Sequence, residues 1–376
     1  MISRSRLWRT YVLPAAVFQA VMIGGGYGTG REIVEYFTRF GIVGGLAGLA
    51  LAAVCFGVLL ALSFEFARVY KAYDYQRFIH TLLGRGWMAF ELLYLAMFAV
   101  VLAVIAAAAG TLFEEQIHLN RLIGVLTLLT LVTVVAFYGR QWVVRILAFK
   151  SAVLTLVFLV YFAIILGRYL PSIVAEVRHA EIIPGWITAA LRYVLYSSVV
   201  IPAMLFAVTE FRSRRESFVA GAIAAVAGLI PAVLLHLSFA FAYPQVLGQT
   251  IPAYWVIVRL GQPALTIAYL VVLFGCLMDT GLCFIQSVNE RLDAWRRQNH
   301  LTALSRPWRA GVAVACVVVS ATLSFAGVVP LVAQGYGTLA WGFLALYVGP
   351  LLTVGLFKLA CVPKLAGRET ALESRN

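Results

Sequence analysis

Two features of this sequence place polar chemistry inside long apolar stretches. The first is the run Gly24-Gly25-Gly26-Tyr27-Gly28-Thr29-Gly30, followed directly by Arg31 and Glu32. The second is a pair of isolated charges, Lys150 and Asp279. Five glycines in seven residues raise the cost of a continuous helix by very roughly 0.8 to 1 kcal/mol each relative to alanine, so the chain is expected to unwind there. Unwound backbone frees N–H and C=O groups that can meet a ligand. The competing use of the same residues is close helix packing through Gly24/Gly28 and Gly26/Gly30.

Asp279 is the expected partner of Lys150 and belongs to a stripe. Cys276, Asp279, Cys283, Gln286 and Glu290 recur every three or four residues and share one helix face, bordered by Thr280 and Ser287. Such a stripe can hold a sodium ion, carry a proton or outline an exit path; a polar seam between helices is the plainer alternative. Cys276 and Cys283, two turns apart with no histidine, do not make a metal site. The five histidines are scattered, and no His-Glu-x-x-His, Walker loop, Gly-x-Ser-x-Gly elbow or dinucleotide glycine spacing occurs. No catalytic residue and no cofactor are therefore expected, and the chain is not read as an enzyme.

The elements that position these residues follow from composition. Hydrophobic residues make up 62% of the 376 and charged residues 12%, too little polar surface to cover a soluble globule. The solvent is lipid. A bilayer core of about 30 Å needs roughly 20 apolar residues per helix. Ten such runs are expected, at 11–37, 41–66, 87–112, 122–138, 143–166, 186–209, 218–243, 263–288, 311–329 and 338–359. Their continuous apolar character excludes a β-barrel, whose strands alternate. Inside hydrocarbon, Lys150 is costly and reads as functional, with snorkelling to the membrane face as the alternative.

The net charge of +13 follows the membrane and does not point to nucleic acid: with the N-terminus in the cytoplasm, 21 of the 29 lysines and arginines fall on cytoplasmic segments. Both ends are expected there. The arginines ahead of the first run precede no small-residue cleavage site, so the first run reads as a span. Arginine in place of lysine hints at a GC-rich bacterial genome, hence a multi-pass protein of a bacterial inner membrane.

The connections 168–185 and 244–262 are long and no linker of Pro, Ser or charge divides the chain, so 1–376 is expected to be one membrane domain, with 361–376 as a short cytoplasmic tail. Five runs precede the first of these connections and five follow it. An odd number inverts the second half, giving repeats of about 8–170 and 184–360, with sites where the first helix of each half breaks. In the sixth run the breaker is Pro202, which lacks an N–H and crowds the carbonyl of Ser198, beside Tyr196 and Ser197. Arg31 and Glu35 share a helix face and are expected to pair, Glu32 to meet Arg192, and Arg6 and Arg9 to clasp Glu290 or Asp293.

Ile23 to Glu32, the break in the sixth run and Glu210-Phe211-Arg212-Ser213-Arg214-Arg215-Glu216 together resemble the amino acid–polyamine–organocation superfamily with the leucine-transporter fold, and within it the uncharacterised YkvI-like membrane proteins. The resemblance implies an all-α membrane protein of ten transmembrane helices in a 5+5 inverted repeat with broken first and sixth helices. It implies a secondary transporter of a small amino acid, amine or related solute, with a proton or sodium as coupling ion. A transporter-like solute sensor is the alternative, since some relatives act so in spore germination. By the logic of that fold, the N–H groups of Gly28, Thr29 and Gly30 meet a carboxylate, and carbonyls near Gly24, Ser197 and Ser198 meet an ammonium. Gly26 belongs to the same stretch, and apolar bulk comes from Tyr27, Tyr94, Tyr196 and Phe206. Lys150 resembles the lysine that stands in for sodium in proton-coupled members, with Asp279, Thr280 and Cys283 beside it. Arg31, Glu32, Glu35 and Arg192 on one side, and Arg6, Arg9, Glu290 and Asp293 on the other, are the gate candidates.

Overall fold

The computed structural model describes residues 4–138, 140–179, 182–298, 302 and 305–361, and no strand occurs among them. All ten predicted runs are helical. The helices Ile42–Tyr70, Trp87–Ile117, Arg121–Tyr138, Arg140–His179, Arg214–Ala240, Pro263–Gln298 and Arg306–Ser324 are continuous. The first run is divided into Leu13–Met22, Gly25–Thr29 and Arg31–Tyr36. The sixth passes from Trp186–Ser197 into 3-10 turns at Ser198–Val200 and Pro202–Val208, with a bend of 62°. The last, Val328–Cys361, widens into π turns at Leu331–Tyr336, Leu344–Val348 and Leu351–Gly355, the first and third directly after a proline that has no N–H to give.

Among the described residues, six helices are long and apolar enough to cross a membrane, or seven if the bent sixth run counts as one span. The first run falls outside that criterion because it is in pieces. The outward side chains suit a lipid solvent: Val54, Val271 and Phe357 are 66%, 68% and 71% exposed. Helices Ile42–Tyr70 and Arg214–Ala240 pack along their lengths, close enough that a Cβ on Gly221 would lie 2.6 Å from the Ala61 nitrogen. His236 belongs to this seam, bonded to Thr38 Oγ1 and the Ile42 carbonyl, each at 2.9 Å.

Both long connections differ from expectation. The fifth helix runs on to His179 through Pro171 because Tyr169 stacks on Phe241, with ring centroids 4.2 Å apart, and Ile173 is buried. The 244–262 connection folds into a 3-10 turn, Gln245–Gly248, and a helix, Pro252–Arg259. Pro252 suits the first turn of that helix, and Ala253, Val256 and Ile257 are buried beneath it. This helix rests on the end of the glycine run.

Candidate functional site

The first run breaks twice. At Ile23 and Gly24 the backbone leaves the helical region, with Gly24 at φ −92° and ψ −172°. At Gly30 it turns left-handed, φ +77°, where a Cβ would come 2.7 Å from Phe239 and 3.1 Å from Ala253. Between the breaks the groups freed by unwinding are largely satisfied inside the protein. The Gly28 N–H donates to the Gly24 carbonyl (2.9 Å) and the Gly30 N–H to the Tyr27 carbonyl (3.0 Å). Thr29 Oγ1 donates to the Gly26 carbonyl and accepts from the Arg31 N–H, and the Tyr269 hydroxyl donates to the Gly28 carbonyl. Gly28, Thr29 and Gly30 therefore present no open half-helix to a carboxylate, and they do not line the cavity described below.

The sixth run closes its own gap. The Ile201 N–H donates to the Ser198 carbonyl (3.0 Å), and Ser198 Oγ donates to the Leu195 carbonyl (2.6 Å), so the carbonyl expected to be freed by Pro202 is occupied and Ser198 is wholly buried. The bend and the 3-10 pitch send Phe206 outward, 60% exposed, so it supplies no bulk to the site. Ser197 and Tyr196 do face inward.

Between the two broken runs lies a cavity of about 650 Å³. Gly24, Gly26, Tyr27, Tyr94, Tyr196 and Ser197 of the expected set line it. So do Asp279, Thr280 and Cys283, together with Glu32. The helix Pro263–Gln298 brings its stripe against the first break, where a Cβ on Gly24 would meet Thr280 Oγ1 at 3.5 Å. The side chains of Lys150, Gln286 and Glu290 lie outside the described residues.

Glu32 does not meet Arg192. Its Oε2 accepts from the Tyr196 hydroxyl at 2.8 Å, one helical turn further along, while Arg192 lies 5.8 Å over the Trp341 ring. The carboxylate reaches the cavity because Gly26 has no side chain: a Cβ there would stand 2.0 Å from Glu32 Oε1. Arg31 and Glu35 pair as expected at 2.6 Å, with side chains 6% and 8% exposed. Arg39 also meets Glu35, and Arg31 Nη1 donates to the carbonyls of Leu247 and Gln249 at 2.9 and 3.2 Å. Arg6 and Arg9 instead reach Glu216 (2.7 Å) and Glu210 (2.6 Å), in the basic connection after the sixth run, and Asp293 pairs with Arg309 (2.7 Å). The start of the first broken run is thus tied to the end of the second.

Of the rest of the wall, the sequence reading missed Gln19, Met97, Phe98, Phe284 and Tyr336 among others. It also missed Arg291, whose guanidinium lies 3.9 Å over Tyr94 and 4.7 Å over Tyr75, with Nε 3.1 Å from Glu91. Glu91 in turn accepts from the Tyr75 hydroxyl at 2.7 Å.

No family model matches the chain. In sequence it is similar to the uncharacterized membrane protein YkvI of Bacillus subtilis (strain 168), 26% identical over 269 residues that cover 69% of this chain and 75% of that one. In structure it is similar to the manganese transporter of Eremococcus coleocola, with a TM-score of 0.59 at 14% identity, over 93% of this chain and 80% of that one. The inward-facing conformation of Mhp1 matches with a TM-score of 0.54 at 17% identity, over 87% of this chain and 72% of that one. The fold is that of the leucine transporter. A sodium-coupled sialic acid symporter in a substrate-bound outward-open state shares it, with a TM-score of 0.50 at 11% identity over 92% and 87% of the two chains.

Proposed function

We propose that this chain is a secondary active transporter of a small, positively charged organic solute, an amine or amino acid, working by alternating access in a bacterial inner membrane with both termini in the cytoplasm. The observation that carries the reading is the cavity between the two broken runs. Its size suits a small solute, and the Glu32 carboxylate, with no ion pair among the described residues, stands at its wall. Broken helices beside a central cavity are how transporters of this fold hold solute and ion.

In this reading the ten runs form two inverted repeats of five spans. Arg31, Glu35 and the Pro252–Arg259 helix seal the outer side; Arg6 with Glu216 and Arg9 with Glu210 fasten the inner side. Lys150 exchanges the coupling proton, with Asp279 as its partner; sodium at Asp279, Thr280 and Cys283 is the alternative driving ion. Proteoliposomes holding the purified protein should take up a labelled amine or amino acid saturably when a proton gradient is imposed. Binding without flux across a broad amine panel, under proton and sodium gradients alike, would make the protein a sensor. Lys150→Met should abolish proton-driven uptake while binding persists; normal uptake by that variant would remove the lysine from the mechanism.

A further inference from the structure

We propose that Glu32 is a shared binding point at which a proton and the ammonium group of the solute exclude one another, so that each amine leaving the cavity is replaced by a proton on this carboxyl. The inference rests on the transport reading, takes the same cavity as the solute site, and adds a proton position separate from the one proposed at Lys150.

Among the described residues Glu32 forms no ion pair. Its Oε2 accepts from the Tyr196 hydroxyl at 2.8 Å, and Gly26, bare of a side chain, leaves room for the other oxygen at the cavity wall. The nearby basic groups are committed elsewhere: Arg31 to Glu35 and two carbonyls, Arg192 over Trp341, and Arg291 to Glu91 and over Tyr94. Glu35 is held by Arg31 and Arg39. The groups that feel the charge of Glu32 from the first, sixth and last runs are tyrosines: Tyr27, Tyr36, Tyr193, Tyr196 and Tyr336. Tyr94 faces the same cavity from helix Trp87–Ile117, and Cys276, Asp279 and Cys283 face it from helix Pro263–Gln298. A second acid adds like charge and no compensation.

A carboxylate shut away from water without a basic partner is costly, so Glu32 is stable in two forms, protonated or against a cation. Both forms use the same oxygens, and they cannot coexist. As an ammonium moves against the carboxyl, its O–H bond breaks and the proton passes to the water at the open side of the cavity. When the ammonium leaves, a proton from that water returns to the oxygen. Glu32 and its occupant sum to zero charge either way, so the loaded and the returning carrier differ by no charge at this point. The wall also suits an ammonium that keeps its N–H groups. Gln19 and Ser197 offer acceptors, and the Thr280 hydroxyl, which donates to the Cys276 carbonyl at 2.9 Å, still has its lone pairs. The Tyr27 hydroxyl, buried and without a hydrogen-bond partner in the protein, retains a donor and acceptors for either form of Glu32.

The test is infrared difference spectroscopy on the full-length protein in lipid nanodiscs, which reads the C=O stretch of a protonated carboxyl. Acidification should raise a band that Glu32→Gln removes and Asp279→Asn leaves in place. Tyr196→Phe should move that band to higher wavenumber, because the carboxyl loses its hydrogen-bond donor; thermal unfolding midpoints check that each variant is folded. At a pH where the band is fully developed, methylammonium chloride should abolish it and release about one proton per site, while sodium chloride at the same concentration should not. The methylammonium concentration needed should rise about tenfold for each pH unit on the acid side of the band's midpoint and level off on the alkaline side. No Glu32-dependent band where the protein is folded, a band that methylammonium leaves intact, or one that sodium removes equally well would each overturn the proposal. No gradient is applied, so exchange at Glu32 by a protein that moves no amine in proteoliposomes would overturn the transport reading and leave the exchange standing. Amine uptake with the same pH dependence in Glu32→Gln as in the native protein would do the reverse.

Discussion

The two ends of the first broken run are fastened by the same kind of bond in opposite surroundings. At the Gly30 end, Arg31 and Glu35 are 6% and 8% exposed, and Arg31 also holds two carbonyls of the 245–249 turn. At the other end, Arg9 and Glu210 are 61% and 42% exposed, with Arg6 and Glu216 between these extremes at 28% and 14%. Water competes with an exposed pair and screens it, so such a pair contributes little. Once buried, a pair cannot lose one member without leaving the other charged and desolvated. The Arg31–Glu35 pair is therefore costly to break, and the Arg9–Glu210 pair is not.

That contrast can be broken by mutation, starting with the largest effect. Arg31→Met should destabilise by about 3–5 kcal/mol, toward the lower figure because Arg39 still faces Glu35; a loss under about 1 kcal/mol in reversible unfolding would mean that the Gly30 end is no lock. Gly30→Ala should cost roughly 2–4 kcal/mol, from left-handed strain together with the collision against Phe239 and Ala253. An unchanged unfolding midpoint would place the Pro252–Arg259 helix away from the break. Tyr269→Phe removes the hydroxyl that meets the Gly28 carbonyl and should cost about 1–3 kcal/mol, since a buried acceptor loses its donor. At the opposite end, Arg9→Met should change stability by less than about 0.5 kcal/mol, and raising salt to roughly 1 M, where the screening length is about 3 Å, should erase even that. A salt-insensitive loss above about 1 kcal/mol would show that the two ends are fastened alike.

The same contrast marks what was legible in the sequence. Arg31 with Glu35 could be read because both lie on one helix, four residues apart, where geometry fixes the pairing. Glu32 was misread by one helical turn: Arg192 and Tyr196 share a face of the sixth run, and charge favoured the arginine while the fold brought up the tyrosine. Arg6 and Arg9 meet Glu216 and Glu210 where the sequence pointed to Glu290 or Asp293, because several acids near the same membrane face suit an arginine equally and proximity between distant segments decides among them. Phe206 was expected at the site by the logic of the fold, but the stretch that carries it adopts 3-10 pitch and bends by 62°. The open N–H groups expected at Gly28 and Gly30 were lost to hydrogen bonds made across the short Gly25–Thr29 turn itself.

By itself, then, the sequence determined that this chain dissolves in lipid, that it does so as helices, and that two of those helices are interrupted near Gly24–Gly30 and Pro202. These are local consequences: each follows from the apolar content of a run or from the hydrogen bonds that a few glycines or a proline withhold. Only the tertiary structure decided that Glu32 would stand over Gly26 at a cavity wall, that Tyr336 from the last run would complete an aromatic wall there, and that the 244–262 connection would fold down on Gly30. Those depend on which surfaces meet, and many residues of the right type compete for each contact until packing selects one.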